Sequence, residues 1–122
     1  MNTIKKIFLI SSPLFVLTHI IALKLYLYWY YWWFDVFMHT WGGILISLSI
    51  FSLVNVISFK LSLKHVLIVL FIVTTSWELF EWKLGLWNND YVIDTTQDIF
   101  FGYLGGIVTY FTIKKFYFYN YV

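Results

Sequence analysis

The chain has 122 residues, of which 61% are hydrophobic, 25% aromatic and only 11% charged. Soluble domains are about half apolar and about a quarter charged, so this composition predicts a membrane protein. The length suits one compact helical bundle. A formal net charge of +2, spread over dispersed lysines, excludes nucleic acid as a partner. The absence of cysteine excludes disulfides and thiolate metal sites.

Four apolar stretches follow one another, each approaching the roughly 20 residues that a helix needs to cross a bilayer. No small-residue cleavage site follows the first stretch before Lys24, so we expect it to be a retained transmembrane helix and not a cleaved signal peptide. An aromatic segment at 26–34 fits a membrane-interface belt. We therefore predict an all-α membrane protein, a four-transmembrane-helix bundle. Residues 1–122 form its single domain, with spans at about 7–27, 35–59, 65–82 and 94–113.

The lysines predict the orientation of this bundle. Six of the eight precede span one, lie between spans two and three, or follow span four, whereas Lys24 and Lys83 lie at the other side. Cytoplasmic loops carry the excess of lysine and arginine in membrane proteins. We therefore expect a multi-pass protein of the cell membrane with both termini and the middle loop in the cytoplasm.

Three pairs of ionisable residues at helical spacing stand out from the apolar background. The pairs are Asp35-x3-His39, Glu78-x2-Glu81 and Asp94-x3-Asp98. Residues three or four apart share one helix face, and the alternating span directions bring all three pairs to the outer side. The twelve residues between His65 and Glu78 rise only about 18 Å, less than a hydrocarbon core of about 30 Å. We therefore expect these groups to be sunk within the bundle.

Five carboxylates and an imidazole this close together would repel one another unless they share protons or bind cations. Hard oxygen donors with one imidazole suit Mg, Mn, Ca or Zn, so we predict a divalent metal as cofactor. Five acids suffice for two ions. The alternative is that the acids only hydrogen-bond or form salt bridges within the bundle, and Asp35 in particular would then be a helix N-cap. The predicted metal ligands are Asp35, His39, Glu78, Glu81, Asp94 and Asp98.

Other residues near the pairs carry weaker signals. His19 either hydrogen-bonds another helix or lines the pocket. Gly42-Gly43 and Gly102-x3-Gly106 predict a close approach of spans two and four behind the site, or general packing, or a homodimer face. Trp77 and the other tryptophans near the pairs fit interfacial anchors, or some of them wall a lipid-sized cleft. His65 fits the opposite interface.

The order and spacing of these motifs resemble the VanZ-like family of membrane proteins. The resemblance covers about residues 35–106: Asp-x3-His before Gly-Gly, then Trp-Glu-Leu-Phe-Glu-Trp, then Tyr-Val-Ile-Asp-Thr-Thr-Gln-Asp followed by glycines. It implies a small helical protein of the bacterial inner membrane, acting at the cell envelope, in which these acidic pairs matter. The chain departs from the family pattern at Glu81, where glutamine is common, near Gly102 or Thr109, where asparagine is usual, and in lacking an arginine in the third loop. The family's link to resistance against the glycopeptide teicoplanin is therefore not carried over.

Three functions fit these predictions, and we favour the first. It is a metal-dependent enzyme that hydrolyses, or transfers a group on, a membrane lipid or lipid-linked substrate, with His39 and Glu78 as the catalytic proton carriers. The second is a non-catalytic module that binds or transports cations, although few polar side chains, with Asn55 the strongest, continue towards the cytoplasm. The third is an accessory subunit that acts as a homo-oligomer or with a membrane partner protein.

Overall fold

The chain is all-helical wherever its structure is described. The computed structural model describes residues 3–57, 60–86 and 90–118, and within them the side chains of 55–57, 117 and 118 are not described. The predicted last residues of span two, 58–59, and the side chain of Asn55 lie outside these limits. No strand occurs in the described ranges. The helices are α1 (Thr3–Lys24), α2 (Leu27–Tyr30), α3 (Trp32–Ile57), α4 (Leu63–Leu84) and α5 (Tyr91–Phe118).

Three of these helices are long and apolar enough to cross a membrane. They are Thr3–Lys24, Trp32–Val54 and Leu63–Leu84, of 22, 23 and 22 residues. A helix of that length spans about 33 Å, which matches a hydrocarbon core of about 30 Å. The all-α prediction is confirmed for the described residues, and the three helices are compatible with a membrane protein, whereas the fourth span stays a prediction. The longest helix, α5 with 28 residues, is less apolar because its first turns carry two aspartates and a glutamine.

The aromatic segment between α1 and α3 contains a short helix that was not predicted. α1 ends at Lys24, short of the predicted Leu27, and the backbone of Tyr26 is left-handed, with φ 57°. A single helical turn, α2, follows. Because α3 begins at Trp32, Asp35 lies within its first turn, and the interpretation of Asp35 as an N-cap is wrong.

Local hydrogen bonds fix both ends of α4. The Ser62 backbone N–H donates to His65 Nδ1 at 3.2 Å, so His65 helps to cap the start of the helix. At the other end Gly85 has φ 67°. This left-handed conformation favours glycine, which lacks a Cβ. α4 therefore ends soon after the Glu78–Glu81 pair.

α3 and α5 are the central, parallel pair of the bundle. Ser47 Oγ donates to the carbonyl oxygen of Gly106 at 2.8 Å, across 59 positions of the sequence. The same offset relates Gly43 to Gly102, whose carbonyl oxygen lies directly against the Gly43 backbone. Any Cβ at Gly43 would overlap that oxygen. The predicted close approach of spans two and four is therefore confirmed.

α4 packs antiparallel to α5. Leu70 of α4 lies against Gly106 of α5. One turn later in α4, Thr74 lies against Gly102, which is one turn earlier in α5. The starts of α3 and α5 and the end of α4 consequently meet at one end of the bundle. That end carries the three polar pairs.

α1 is attached to the bundle through α3. Trp41 Nε1 donates to Ser11 Oγ at 2.8 Å, and further along α1 Ala22 packs with Met38, which precedes Trp41 in α3. The two helices are therefore antiparallel. Within the described residues the backbones of α1 and α4 do not approach each other. A cleft remains between these two helices, with α3 as its floor.

Candidate functional site

His39 lies at the centre of the polar cluster. Its Nε2 atom is 3.4 Å from Asp35 Oδ1 and 3.5 Å from Asp98 Oδ2, and its Nδ1 atom is 3.9 Å from Glu78 Oε1. Asp35 shares the His39 face of α3 because the two are one helical turn apart. α5 supplies Asp98 and α4 supplies Glu78. The imidazole therefore lies close to a carboxylate from each of three helices.

The six predicted metal ligands fall into two groups of donor atoms that share Asp98. Within each group, one donor atom per residue lies within 4.8 Å of every other. Divalent cations bind oxygen and nitrogen at about 2.0–2.6 Å, so ligands on opposite sides of one ion are up to about 4–5 Å apart. The donor spacing in each group therefore fits one ion. The groups are His39, Glu78, Glu81 and Asp98, and Asp35, Asp94 and Asp98.

The most deeply buried acids are Asp98 and Glu78, which are 2% and 4% exposed. Among the described residues, Glu78 Oε1 has no hydrogen-bond partner, and His39 Nδ1 lies 3.9 Å from it. A buried carboxylate oxygen without a partner is costly in free energy. A cation at the first donor group would supply the missing partner, so the residues present fit a divalent metal.

Glu81 is oriented by Trp77, one of the tryptophans for which the sequence predicted either an interfacial anchor or the wall of a lipid-sized cleft. Trp77 Nε1 donates to Glu81 Oε1 at 2.8 Å, across one turn of α4. The Trp77 ring also meets the ring of His19 edge-on, with centroids 5.5 Å apart. Trp77 therefore connects α1 to the acidic end of α4.

His19 and Tyr28 form a second link above the cluster. The Tyr28 hydroxyl lies 2.6 Å from His19 Nδ1. Burial, reinforced by the negative charges of Asp35 and Glu81, raises the pKa of Tyr28. The phenol therefore keeps its proton and forms a hydrogen bond with Nδ1 as a neutral group. His19 has both predicted roles: it hydrogen-bonds another helix through Tyr28, and it lines a cavity between α1 and α4.

A cavity of about 230 Å³ occupies the cleft between α1 and α4. His39 and Glu81 line it at its polar end, where it meets the first donor group. Val73 and Trp77 also line it and are 42% and 37% exposed, so the cavity opens at the surface of α4. The rest of its wall is mostly apolar and includes Phe15, Met38, Leu45 and Ile46.

The two residues predicted to be catalytic differ in their access to this cavity. His39 lines the cavity, whereas Glu78 is buried behind its wall. Glu81, and not Glu78, is the glutamate that lines the cavity. Asp35 and Glu81 also line a smaller hollow of about 10 Å³ beneath Tyr28. That is about the space of a single water molecule. The cluster is therefore bordered by an apolar cavity on one side and a water-sized hollow on another.

No protein-family model, curated protein or solved structure matches this chain. The resemblance to the VanZ-like family therefore stays a prediction.

Proposed function

We propose that this protein is a membrane enzyme that holds a divalent cation in its polar cluster and hydrolyses, or transfers a group on, a lipid or lipid-linked substrate. One observation carries the proposal: His39 and Glu81 belong both to a donor group and to the wall of an apolar cavity. A ligand with an apolar body in that cavity would place its polar end beside the cation. Apolar walls with a few convergent polar groups are typical of ligand-binding sites.

In the membrane arrangement that we propose, four helices cross the inner membrane and both termini face the cytoplasm. The distribution of lysine supports this orientation. The polar cluster lies at the end that carries Lys24 and Lys83, and so near the outer face. The opposite end carries six exposed lysines, namely Lys5, Lys6, Lys60, Lys64, Lys114 and Lys115.

The chemistry follows from the donor types and their positions. A divalent cation would polarise a substrate carbonyl or phosphoryl oxygen and acidify a water molecule. Glu78, Glu81 and Asp98 would hold it through carboxylate oxygens. His39 lines the cavity and, with the cation held by these three carboxylates, would be free to accept the proton of the attacking group. Asp35, 3.4 Å from His39 Nε2, would stabilise the charged imidazolium that results.

The cation is tested by elemental analysis of the detergent-purified protein and its variants. Glu78→Ala and Asp98→Ala should both lose the divalent metal that the wild type retains, because both belong to the first donor group. Asp90→Asn is the matched control: Asp90 is exposed, and asparagine can still cap α5 by accepting from the Val92 backbone N–H. Metal absent from the wild type, or retained in both alanine variants, would contradict the proposal.

Turnover is tested in vesicles that contain the purified protein and lipids radiolabelled in the headgroup. We expect a water-soluble labelled product whose formation stops on chelation, resumes when metal is restored, and is lost in Glu78→Ala while helical circular dichroism stays unchanged. Metal binding without turnover of any membrane lipid class would reject the enzyme and leave a cation-binding protein.

A structural cation site is the alternative, and the position of Glu78 favours it. Glu78 is buried behind the cavity wall, so a cation there would chiefly join α4 to α3 and α5. Metal removal would then unfold the protein instead of only stopping a reaction. Cation transport has less support, because Ser47 donates to a carbonyl of α5 and the other described hydroxyls below the cluster donate to carbonyls of their own helices, so they do not continue a polar path. These other hydroxyls belong to Ser49, Ser52, Thr74, Thr109 and Thr112.

A further inference from the structure

We propose that the cleft between α1 and α4 takes up one aliphatic chain of a membrane lipid sideways from the bilayer, and that Trp77 and His19 close over the chain beside the acidic cluster. The proposal rests on the proposed function, because it specifies which part of the substrate enters the bundle. It adds a route of entry and a gate.

The size of the cavity suits one chain. Apolar side chains that line an open cleft lack packing contacts on one side unless chains of the surrounding medium fill the cleft. A cavity of about 230 Å³ therefore favours an occupant. It is smaller than the roughly 300–1,000 Å³ of sites that enclose drug-sized ligands. A segment of one chain fits, whereas a lipid with two chains and a headgroup does not.

The surroundings of the opening determine what the occupant is. The opening lies at Val73 and Trp77 on α4, one of the helices that is long and apolar enough to cross a membrane. Its neighbours Phe71 and Ile72 are 61% and 57% exposed, so this surface faces hydrocarbon when α4 spans the bilayer. The medium at the opening is therefore lipid chains. An aliphatic chain needs no desolvation of polar groups to enter an apolar wall from that medium.

The gate consists of side chains that connect two separated helices. Trp77 meets His19 edge-on at 5.5 Å and is held at its indole nitrogen by Glu81. His19 is held by the Tyr28 hydroxyl. Because the backbones of α1 and α4 do not approach each other in the described part of the chain, rotation of these side chains alone opens the cleft. Rotamer changes of exposed side chains are fast, on the picosecond-to-nanosecond scale.

The test is photo-crosslinking in phosphatidylcholine vesicles that carry a diazirine near the end of one acyl chain. Leu45 is the diagnostic position, because it lines the cavity but is only 9% exposed. A chain in the cleft would label Leu45 and its neighbour Ile46. Val73→Trp, which fills the cavity, should reduce this labelling severalfold. Ile72→Trp, the same substitution on the adjacent lipid-facing position, should leave it unchanged.

Each outcome separates the chain proposal from the cation proposal. Labelling confined to outward positions such as Ile72, with none at Leu45, overturns the chain proposal, and so does undiminished labelling in Val73→Trp. Gly42→Leu fills the cavity from α3, where only Phe15 comes within 4 Å of a new Cβ, and must reduce the labelling as well. Metal content is measured on the same samples. Glu78→Ala should lose metal yet keep the Leu45 label, whereas Val73→Trp should keep metal and lose the label.

Discussion

The backbone of Gly43 lies against the carbonyl oxygen of Gly102, closer than any side chain would permit. One turn before these glycines stand His39 and Asp98, with Nε2 and Oδ2 3.5 Å apart. Both pairs are separated by 59 positions, the offset of the whole α3–α5 contact. The approach of two glycine backbones therefore sets the distance between the imidazole and the carboxylate shared by both donor groups.

Gly43→Ala should weaken both the fold and the site. The new Cβ would overlap the Gly102 carbonyl, and overpacking of this kind costs about 1–3 kcal/mol. That exceeds the roughly 1 kcal/mol that alanine gains over glycine in a helix. We expect a lower unfolding midpoint in detergent and a lower affinity for divalent metal, measured by calorimetric titration. The metal affinity should fall because the overlap would move His39 away from Asp98.

Gly42→Ala is the control, because a Cβ there would lie 3.8 Å from Phe15, an ordinary contact. It should leave the midpoint and the metal affinity unchanged or slightly raised. Equal losses in the two variants would show that the α3–α5 approach does not set the site geometry.

Asp98→Asn should reduce metal binding more than any other single neutralisation in the cluster. Asp98 belongs to both donor groups, whereas Glu81 belongs only to the first and Asp94 only to the second. Metal per protein at saturation, measured by elemental analysis after equilibrium dialysis, should fall most in Asp98→Asn. Glu81→Gln and Asp94→Asn should each retain more metal. A ranking in which either of them equals Asp98→Asn would contradict the shared position of Asp98.

The sequence was sufficient to predict which polar residues would meet, but not which of them would reach a ligand. Helical spacing and alternating spans predicted the assembly of all six, and the structure places all six in the two groups. The sequence could not predict that Glu81 lines the cavity while Glu78 lies behind it. Residues three apart differ by only about 60° around a helix, so a modest rotation of α4 decides between them. The packing of α4 against α5 and α3 fixes that rotation.

The sequence also did not predict the link between α1 and the cluster. Aromatic content at 26–34 indicated a membrane-interface belt, but the one-turn helix α2 depends on a left-handed Tyr26, and residue type seldom indicates that conformation outside glycine, asparagine and aspartate. This turn is what brings Tyr28 to His19. Contacts of this kind depend on tertiary geometry and leave no periodic pattern in the chain.

Glu78→Gln should change stability in opposite directions with and without metal. In chelator, the amide removes the negative charge of a buried carboxylate that lies close to the carboxylates of Glu81 and Asp98, and like charges in a buried site repel one another. The variant should then melt higher than the wild type. With metal at about 100 times its dissociation constant, the wild type gains about 2.7 kcal/mol that the variant largely lacks.

The order of the two midpoints should therefore reverse when metal is added, as monitored by circular dichroism at pH 8. Asp90→Asn, outside the cluster, should follow the wild type in both conditions. If Glu78→Gln melts on the same side of the wild type with and without metal, the buried oxygen is not a metal ligand.

Trp77→Phe should lower metal affinity without disturbing the rings above the cleft. Phenylalanine keeps an aromatic ring beside His19 but cannot donate to Glu81 Oε1, which the Trp77 indole holds at 2.8 Å. Loss of a partner that orients a metal ligand commonly reduces affinity by about tenfold or more, and we expect about tenfold in calorimetric titration. Trp41→Phe is the matched control, since it also removes an indole donor, but one bonded to Ser11. Equal metal affinities in the two variants would show that Glu81 either needs no orientation by Trp77 or does not bind the metal. If the Leu45 label is unchanged in Trp77→Phe, the effect of the substitution is confined to the cation site.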